Sequence, residues 1–280
     1  MPFQVPIDDA RRHFPDYTFV RALTASEQKA AFHVRSQSGE DLCLKIVNPN
    51  FGLDRLPREV EAMLRVNHPN VVEFVEYSFT VKRTGSLHYI IEKFIDGTDL
   101  TDELGTPWDT TRAAQVFGEL LDGLDELKKV NVVHRDLKPS NIRMRADGKP
   151  VLIDFGLARH LDLPDITKTG TWVGTPLYFA PEQFTGDRRL IDHRTDLFPV
   201  GLLLYYALVG RHPFEHEATD LNTLADAIRG SENHFNHADF AGLPNGWKIV
   251  VKKLLSKQRE GRFNDAAQAA VAIRRVGGLA

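Results

Sequence analysis

The chain has the bulk properties of an ordinary globular protein, with 280 residues of which 42% are hydrophobic. Its 35 basic residues nearly balance its 38 acidic ones and leave a formal net charge of −3, which excludes a strong overall attraction to nucleic acid or to an anionic membrane. Cys43, the single cysteine, cannot form an internal disulfide, and residues 1–14 lack the apolar run of a signal peptide. We therefore expect a protein of the reducing cytoplasm.

The first third of the sequence predicts a β-rich region that contains one helix. Residues 1–16 carry three prolines and mixed charge, which indicates an extended lead-in rather than an element of the core. Short runs of β-type residues predict strands at residues 17–23, 30–36, 42–47, 71–81 and 86–95. Between the third and fourth runs, helical spacing puts Val60, Met63 and Leu64 on one face of a helix that ends at His68-Pro69-Asn70.

The rest of the sequence is mainly helical in its periodicity. Residues 110–130 place an apolar stripe on one helix face. The apolar stretch near residues 200–209 is about half as long as a bilayer crossing requires, so it predicts a buried helix that begins near Leu197, with Pro199 in its first turn. Three amphipathic helices are expected near residues 220–230, 246–257 and 264–275. The predicted stripe of the first helix consists of Ala114, Phe117, Leu121, Leu124 and Leu127.

One motif carries chemistry, the segment VVHRDLKPSNIRM at residues 132–144. It sets Asp136, Lys138 and Asn141 at offsets that bring a proton acceptor, a cation and a metal-ligating amide around one phosphoryl group. The order His-Arg-Asp-Leu followed by this asparagine is the catalytic-loop pattern of protein kinases. A neutral structural element has no need for that order.

Two further motifs follow at the distances that this pattern requires. Asp154-Phe155-Gly156 supplies a second carboxylate, and Ala180-Pro181-Glu182 closes the segment after it. The sequence resembles Ser/Thr protein kinases of the eukaryotic-like superfamily along almost its whole length. The resemblance implies an α+β, two-lobed protein-kinase fold with a β-rich small lobe, including a regulatory helix, and a mainly α-helical large lobe. The implied boundaries are 1–16 for the lead-in, 17–94 for the small lobe and 95–280 for the large lobe.

The resemblance assigns the catalytic groups to the second half of the chain. Asp136 is expected to accept the acceptor hydroxyl proton, and Lys138 to lie against the moving γ-phosphate. Asn141 and Asp154 are expected to hold Mg²⁺, which prefers such oxygen ligands. Thr175, which precedes the Ala-Pro-Glu segment, is expected to bridge Asp136 and Lys138 through its hydroxyl.

The resemblance also implies two supporting contacts and one form of control. Asp196 matches the carboxylate that braces the catalytic loop from beneath, and Arg262 resembles the arginine that pairs with Glu182. Arg135 offers a cation to a phosphorylated activation loop within residues 157–179. The candidate acceptors are Thr167, Thr169 and Thr171, and the alternative is a loop whose threonines are only solvated.

Nucleotide binding is assigned to the first half. Lys45 resembles the strand lysine that holds the α- and β-phosphates of ATP, and Glu59 on the regulatory helix is expected to pair with it. Glu61 is expected to face solvent. Ile91 occupies the position that guards the back of the adenine pocket, with plain core packing as the alternative. The main chain from Glu92 to Phe94 is expected to meet the adenine edge.

The sequence departs from the family at the nucleotide. Residues 24–29 read Thr-Ala-Ser-Glu-Gln-Lys where the pattern has a glycine-rich loop, so close backbone approach to phosphates is restricted. We expect the charge of Lys29 to substitute for the missing backbone contacts; the alternative is a loop that stays open. Cys43 replaces the alanine that usually covers the adenine, and Arg143 replaces the apolar residue beneath it. We expect Arg143 to stack on the base or to bend toward the phosphates; the competing interpretation is that it blocks the adenine.

Together these features predict an ATP- and Mg²⁺-dependent serine/threonine protein kinase whose partner is a protein substrate, with no nucleic acid and no membrane. Autophosphorylation of the activation loop is part of this prediction. The alternative is a pseudokinase that serves as a binding scaffold, which the missing glycines favour. A kinase of small molecules is disfavoured by the Gly-Thr-Pro and Ala-Pro-Glu segments, which such enzymes usually lack. The sequence leaves the oligomeric state open.

Overall fold

A computed structural model describes residues 2–50, 56–82, 85–155, 176–214, 221–230 and 233–279 of the chain. The described residues divide into two compact units. The first contains those numbered 2–68 and 72–95, and the second contains those numbered 69–71 and 96–279.

The first unit is built on a five-stranded antiparallel sheet in the order β1-β2-β3-β5-β4. The strands form at the short runs of β-type residues from which the sequence predicts them. Gly39, in the turn between β2 and β3, has a φ of +87°, which a side chain would strain. The strands are β1 Thr18–Ala22, β2 Lys29–Arg35, β3 Asp41–Val47, β4 Phe74–Lys82 and β5 Gly85–Lys93.

The two faces of this sheet have different surroundings. One face carries Leu42, Leu44 and Ile46 of β3 and Ile91 of β5, all buried in the unit's apolar core. The other face carries the side chains that alternate with these, including Lys45. The register therefore puts Lys45 and Ile91 on opposite faces of the sheet.

The N-terminal segment is not the extended lead-in that the sequence predicts. Residues Ile7–His13 form helix α1, with Asp8 in its first turn and Arg11 in its last, 3.1 Å from that carboxylate. Ala10 and Phe14 are buried in the core of the sheet. The expectation was wrong because the prolines lie outside the helix, while the acidic start and basic end favour it.

Helix α2 extends over Leu56–Met63. It buries Val60 and Met63 as predicted, and Glu61 is exposed. Leu64, however, is 43% exposed, and the helix ends before it rather than at His68. The predicted face was wrong at Leu64 because the chain leaves the helix there in a turn.

The second unit is mainly helical, and a small antiparallel sheet carries its functional loop. The sheet has strands β6 Thr98–Asp99, β7 Ile142–Met144 and β8 Pro150–Leu152. The helices are α3 Thr110–Lys129, α4 Leu197–Val209, α5 Leu221–Gly230, α6 Ala238–Gly242, α7 Asn245–Leu254 and α8 Ala266–Val276. The short helix α6 was not predicted.

Two helices form the centre of this unit. All five residues of the predicted stripe on α3 are buried, and α4 begins at Leu197, which places Pro199 in its first turn as expected. Helix α4 is buried on all sides except at Tyr206. Within the parts of the chain that the structure describes, none of the helices combines the length and apolarity needed to cross a membrane.

Candidate active site

The predicted catalytic residues of the helical unit lie in direct contact. A single turn at Pro139–Asn141 brings Asn141 back toward Asp136, and its amide nitrogen donates to the main-chain oxygen of Asp136 at 2.7 Å and to Oδ2 at 3.1 Å. The Lys138 ammonium lies 3.4 Å from the same carboxylate oxygen. A carboxylate, an amide and a cation thus surround one point, as the sequence predicts.

Asp154 is joined to this group through Asn141. The Asn141 amide nitrogen lies 3.4 Å from the Asp154 main-chain oxygen, and the Ile153 N–H donates to the Asn141 main-chain oxygen at 3.0 Å. Asp154 has a φ of +57°, a backbone conformation that is costly for residues other than glycine and that is often found at functional sites. Because the amide nitrogen is bonded to Asp136, the amide oxygen of Asn141 is the atom suited to a hard cation such as Mg²⁺. The oxygen donors present therefore fit this metal.

The catalytic loop is held from beneath by Asp196. Its two carboxylate oxygens accept the backbone N–H groups of His134 at 2.7 Å and of Arg135 at 2.8 Å, which confirms its predicted role. Arg135 has a φ of +63°, so the loop requires this support. Burial raises the pKa of Asp196, and the adjacent histidine and the two N–H donors oppose that rise. Gln183 adds a bond to the Arg135 carbonyl at 3.0 Å.

His134 is a fully buried part of this support to which the sequence assigned no separate task. Its Nε2 donates to the Ile153 carbonyl at 3.1 Å, and its ring packs on Phe155 at 4.8 Å between centroids. Nδ1 is buried without a hydrogen-bond partner in the described structure. Burial lowers the pKa of His134, although neighbouring carboxylates including Asp196 and Asp136 favour the charged form. The ring is therefore neutral, with its proton on Nε2.

The pairing of Arg262 with Glu182 is confirmed. Two guanidinium nitrogens donate to the two carboxylate oxygens at 2.7 and 2.8 Å, and both side chains are nearly inaccessible to water. Arg262 also donates to the main-chain oxygens of Ser256 and Arg194 at 2.9 Å each. This fork ties the Ala-Pro-Glu segment to the turn before helix α8.

Arg143, on β7, is bonded to the strand beside it. Its guanidinium lies 2.7 Å from the Asp99 carboxylate and also donates to the Gly97 carbonyl. Gly97 has a φ of +145°, and a Cβ there would lie 2.1 Å from the Met144 carbonyl oxygen, so glycine is required for this approach. The predicted contact of Arg143 with a nucleotide remains a prediction, but its partner Asp99 was not foreseen.

In the β unit, Lys45 contacts a carboxylate that the sequence did not suggest. Its ammonium contacts the side chain of Glu92, and the two side chains are 6% and 3% exposed. Glu59 lies on helix α2, but its side chain is outside the described residues, so its predicted pairing with Lys45 remains a prediction. Ile91 is fully buried on the opposite face of the sheet, as its alternative role in core packing implies. The acidic residue within the apolar run of β5 was the signal that sequence reasoning did not use.

The glycine-free loop is closed by its own backbone. The N–H groups of Leu23 and Ser26 donate to the carbonyls of Ala31 and Lys29 at 2.8 and 2.9 Å, which extends the β1–β2 hairpin. The Ser26 carbonyl accepts the Phe3 N–H at 2.7 Å. Lys29 begins β2, and its predicted contact with phosphates remains a prediction.

At the end of β5, Phe94 is part of a stack rather than an isolated side chain. Its ring lies parallel to that of His33 with centroids 3.8 Å apart, and the His33 Nε2 lies 2.8 Å from Asp41. The backbone N–H of Phe94 donates to the Asp41 carbonyl at 3.2 Å. The predicted contact of the adenine edge with the Glu92–Phe94 main chain remains a prediction.

Several predicted residues lie outside the described part of the chain. They include Thr175, the expected bridge between Asp136 and Lys138, and Gly156 of the Asp-Phe-Gly turn. The candidate phosphorylation sites Thr167, Thr169 and Thr171 also lie there.

Comparisons with known proteins agree with this geometry. The sequence profile of the protein kinase domain matches residues 29–272. The chain is 30% identical over 241 residues to the serine/threonine-protein kinase PknB of Mycobacterium tuberculosis, across 81% of this chain and 37% of that protein. It is 35% identical over 207 residues to the serine/threonine-protein kinase PkaA of Streptomyces coelicolor, across 70% of this chain and 37% of that protein.

These alignments include most of this chain but a smaller part of each relative. The chain corresponds to 37% of the length of these relatives, so it aligns with one part of each of them. The profile, in contrast, extends over most of this chain and includes both the Lys45 strand and the Asp136 loop. With its β-rich and helical units, the chain therefore belongs to the protein kinase family and has the two-lobed fold of its Ser/Thr members.

Proposed function

We propose that the protein transfers the γ-phosphate of ATP to serine or threonine hydroxyls of protein substrates in a Mg²⁺-dependent reaction. The observation that carries this proposal is a group of contacts around one loop. Lys138 and Asn141 both contact the Asp136 carboxylate, and the Asn141 amide also lies against the main chain of Asp154. Phosphoryl transfer demands positioning and charge neutralisation rather than covalent chemistry, and this group provides both.

Each residue has a role that follows from its chemistry. Asp136 accepts the proton of the acceptor hydroxyl, and Lys138 neutralises charge that develops on the transferred phosphoryl group. Asn141 and Asp154 would hold Mg²⁺, which when bound offsets the charge of the phosphates. Lys45 would hold the α- and β-phosphates. The two hydrogen bonds from the loop to Asp196 would hold it in place, which reduces the reorganisation that transfer requires.

Two observations support serine and threonine as acceptors. Lys138 follows the catalytic aspartate in the Asp-Leu-Lys-Pro order of serine/threonine kinases, and the relatives named above carry that activity in their names. Autophosphorylation at Thr167, Thr169 or Thr171 is part of the proposal, with Arg135 as the cation that would receive the phosphate.

The pseudokinase alternative rests on the β unit. The backbone N–H groups of Leu23 and Ser26 are bonded within their own hairpin, so they are not directed at a phosphate. A scaffold, however, has no physical need for the bonded group around Asp136. We therefore favour an enzyme whose nucleotide contacts differ from the family pattern.

The test is transfer of label from γ-labelled ATP to a generic basic protein and to the protein itself, with Mg²⁺ and with a chelator in parallel. Label on serine or threonine that disappears with the chelator is the expected result. The absence of any transfer by folded protein would favour the scaffold, and label on tyrosine would contradict the proposed acceptor.

A further inference from the structure

The contact between Lys45 and Glu92 has a geometry that the sequence did not suggest. Lys45 lies on β3 and Glu92 on β5, and the register pairs Glu92 with Cys43 and Lys45 with Ile90. Residues directly opposite one another share a face, so Glu92 lies diagonally across the ladder from Lys45 on the same face. The ammonium and the carboxylate meet there.

Lys45 and Glu92 lie on central strands of the sheet and among buried neighbours. Strand β3 lies between β2 and β5, and β5 lies between β3 and β4, so both strands are hydrogen-bonded along both edges. The neighbouring residues on this face, Ala31, Cys43 and Ile90, are buried. A charge in such a place is strongly disfavoured when its counter-ion is removed.

We propose that Glu92 is a positioning residue, which holds the Lys45 ammonium at the place from which it contacts the phosphates of a nucleotide. The inference rests on the proposed function, in which Lys45 has that task. A lysine side chain loses rotamer freedom when it binds a phosphate, and a lysine that is already fixed loses less.

The position of Glu92 distinguishes it from Glu59. Glu59 belongs to the short helix α2, whereas Glu92 belongs to the interior of the sheet. The contact of Glu92 with Lys45 is therefore made between two strands of the sheet. In the reverse case, in which Glu92 competes with the phosphates for Lys45, removal of its charge would strengthen nucleotide binding.

Three variants separate these cases. Glu92→Gln keeps the shape and removes the charge, and Glu92→Asp keeps the charge on a shorter side chain. Glu76→Gln is the matched control, because Glu76 lies on β4 opposite Ile91, on the other face of the sheet, and accepts the Tyr89 hydroxyl at 2.7 Å. Thermal unfolding of each variant shows whether it is folded.

Calorimetric titration with a non-hydrolysable ATP analogue and Mg²⁺ is the first measurement. Glu92→Gln should weaken binding by up to about thirtyfold, the limit set by the freedom of one long side chain. Glu92→Asp should lose less, and Glu76→Gln should stay within about twofold of the wild type. Equal or tighter binding by folded Glu92→Gln would overturn the proposal. If Glu92→Gln does not fold, Glu92→Asp with unchanged or tighter binding would overturn it.

The second measurement tests the contact between Lys45 and Glu92 in the absence of a nucleotide. An amine-acylating reagent modifies uncharged, accessible lysines, and mass spectrometry of the Lys45 peptide gives its rate. Glu92→Gln should raise that rate relative to the wild type, and Glu76→Gln should not; equal rates would contradict the pairing. Because neither measurement requires transfer, a protein that binds the analogue in a Glu92-dependent way yet transfers no phosphate would contradict the proposed function alone. A wild type that binds no nucleotide would contradict both.

Discussion

The two units of this member of the protein kinase family differ in how closely they keep the sequence pattern of the family. In the helical unit, Asp136, Lys138 and Asn141 are in contact, and Asp196 holds their loop from beneath. In the β unit, the loop at residues 24–29 has no glycine, and Lys45 contacts a carboxylate of the sheet. The catalytic-loop motif and the nucleotide-loop motif of the family have therefore varied separately in this chain.

The largest effect is expected in the frame of the helical unit, at the buried fork between Arg262 and Glu182. Arg262→Met leaves the Glu182 carboxylate buried without its partner, which should lower the free energy of unfolding by about 3–5 kcal/mol. The exposed pair of Arg189 and Asp187, 2.8 Å apart, provides the control. Arg189→Met should cost less than about 1 kcal/mol in the same urea titration. Similar losses in both variants would show that the fork is not specially important.

The next largest effect is expected on nucleotide binding, when Arg143 is replaced. Contact of its guanidinium with the base or the phosphates would be worth about 0.5–2 kcal/mol, so Arg143→Leu should weaken binding of an ATP analogue by up to about thirtyfold. Arg145→Leu, two residues away in an exposed position, is the control. Tighter binding by Arg143→Leu would instead mean that the arginine obstructs the base.

His134 gives the helical unit a pH dependence. Its pKa is lowered in the folded protein, so its contribution to stability is complete above its unfolded pKa of about 6.5 and is lost as the pH falls through the folded pKa. The free energy of unfolding should fall below pH 6.5 with a contribution of at most about 1.4 kcal/mol per pH unit from this group. His134→Gln should remove that contribution in urea titrations at pH 7, 6 and 5. An unchanged slope in this variant would contradict the assignment, and His193→Gln serves as the control.

The smallest effect is expected in the glycine-free loop. The Ser26 N–H and hydroxyl are both bonded within the loop, to the Lys29 carbonyl at 2.9 Å and to the Gln28 N–H at 3.2 Å. Ser26→Ala should therefore change the affinity for the ATP analogue by less than about twofold. A larger loss would show that this loop does hold the phosphates.

Sequence reasoning was most successful where a pattern is local. The helical stripe on α3, the start of α4 at Leu197 and the bonded group around Asp136 all follow from spacing along the chain. The contacts of Asp196 and Arg262 were predicted as well, because the family resemblance carries long-range partners that spacing alone does not supply.

The features that the sequence did not predict depend on three-dimensional context. Helix α1 has only seven residues, too few for a clear period, and its stability comes from Ala10 and Phe14 in the core. The contact of Lys45 with Glu92 depends on the register of β3 against β5, which no local pattern in either strand determines. The same holds for Arg143 and Asp99, which meet across two short strands.

The role proposed for Asp136 as proton acceptor is tested most directly by the change Asp136→Asn, assayed for both transfer and binding. We expect transfer from γ-labelled ATP to fall by about 10²–10⁴-fold, because the proton acceptor is lost, while the affinity for a non-hydrolysable analogue stays nearly constant. Transfer within a few-fold of the wild type, with binding unchanged, would contradict the role of Asp136 and with it the proposed mechanism.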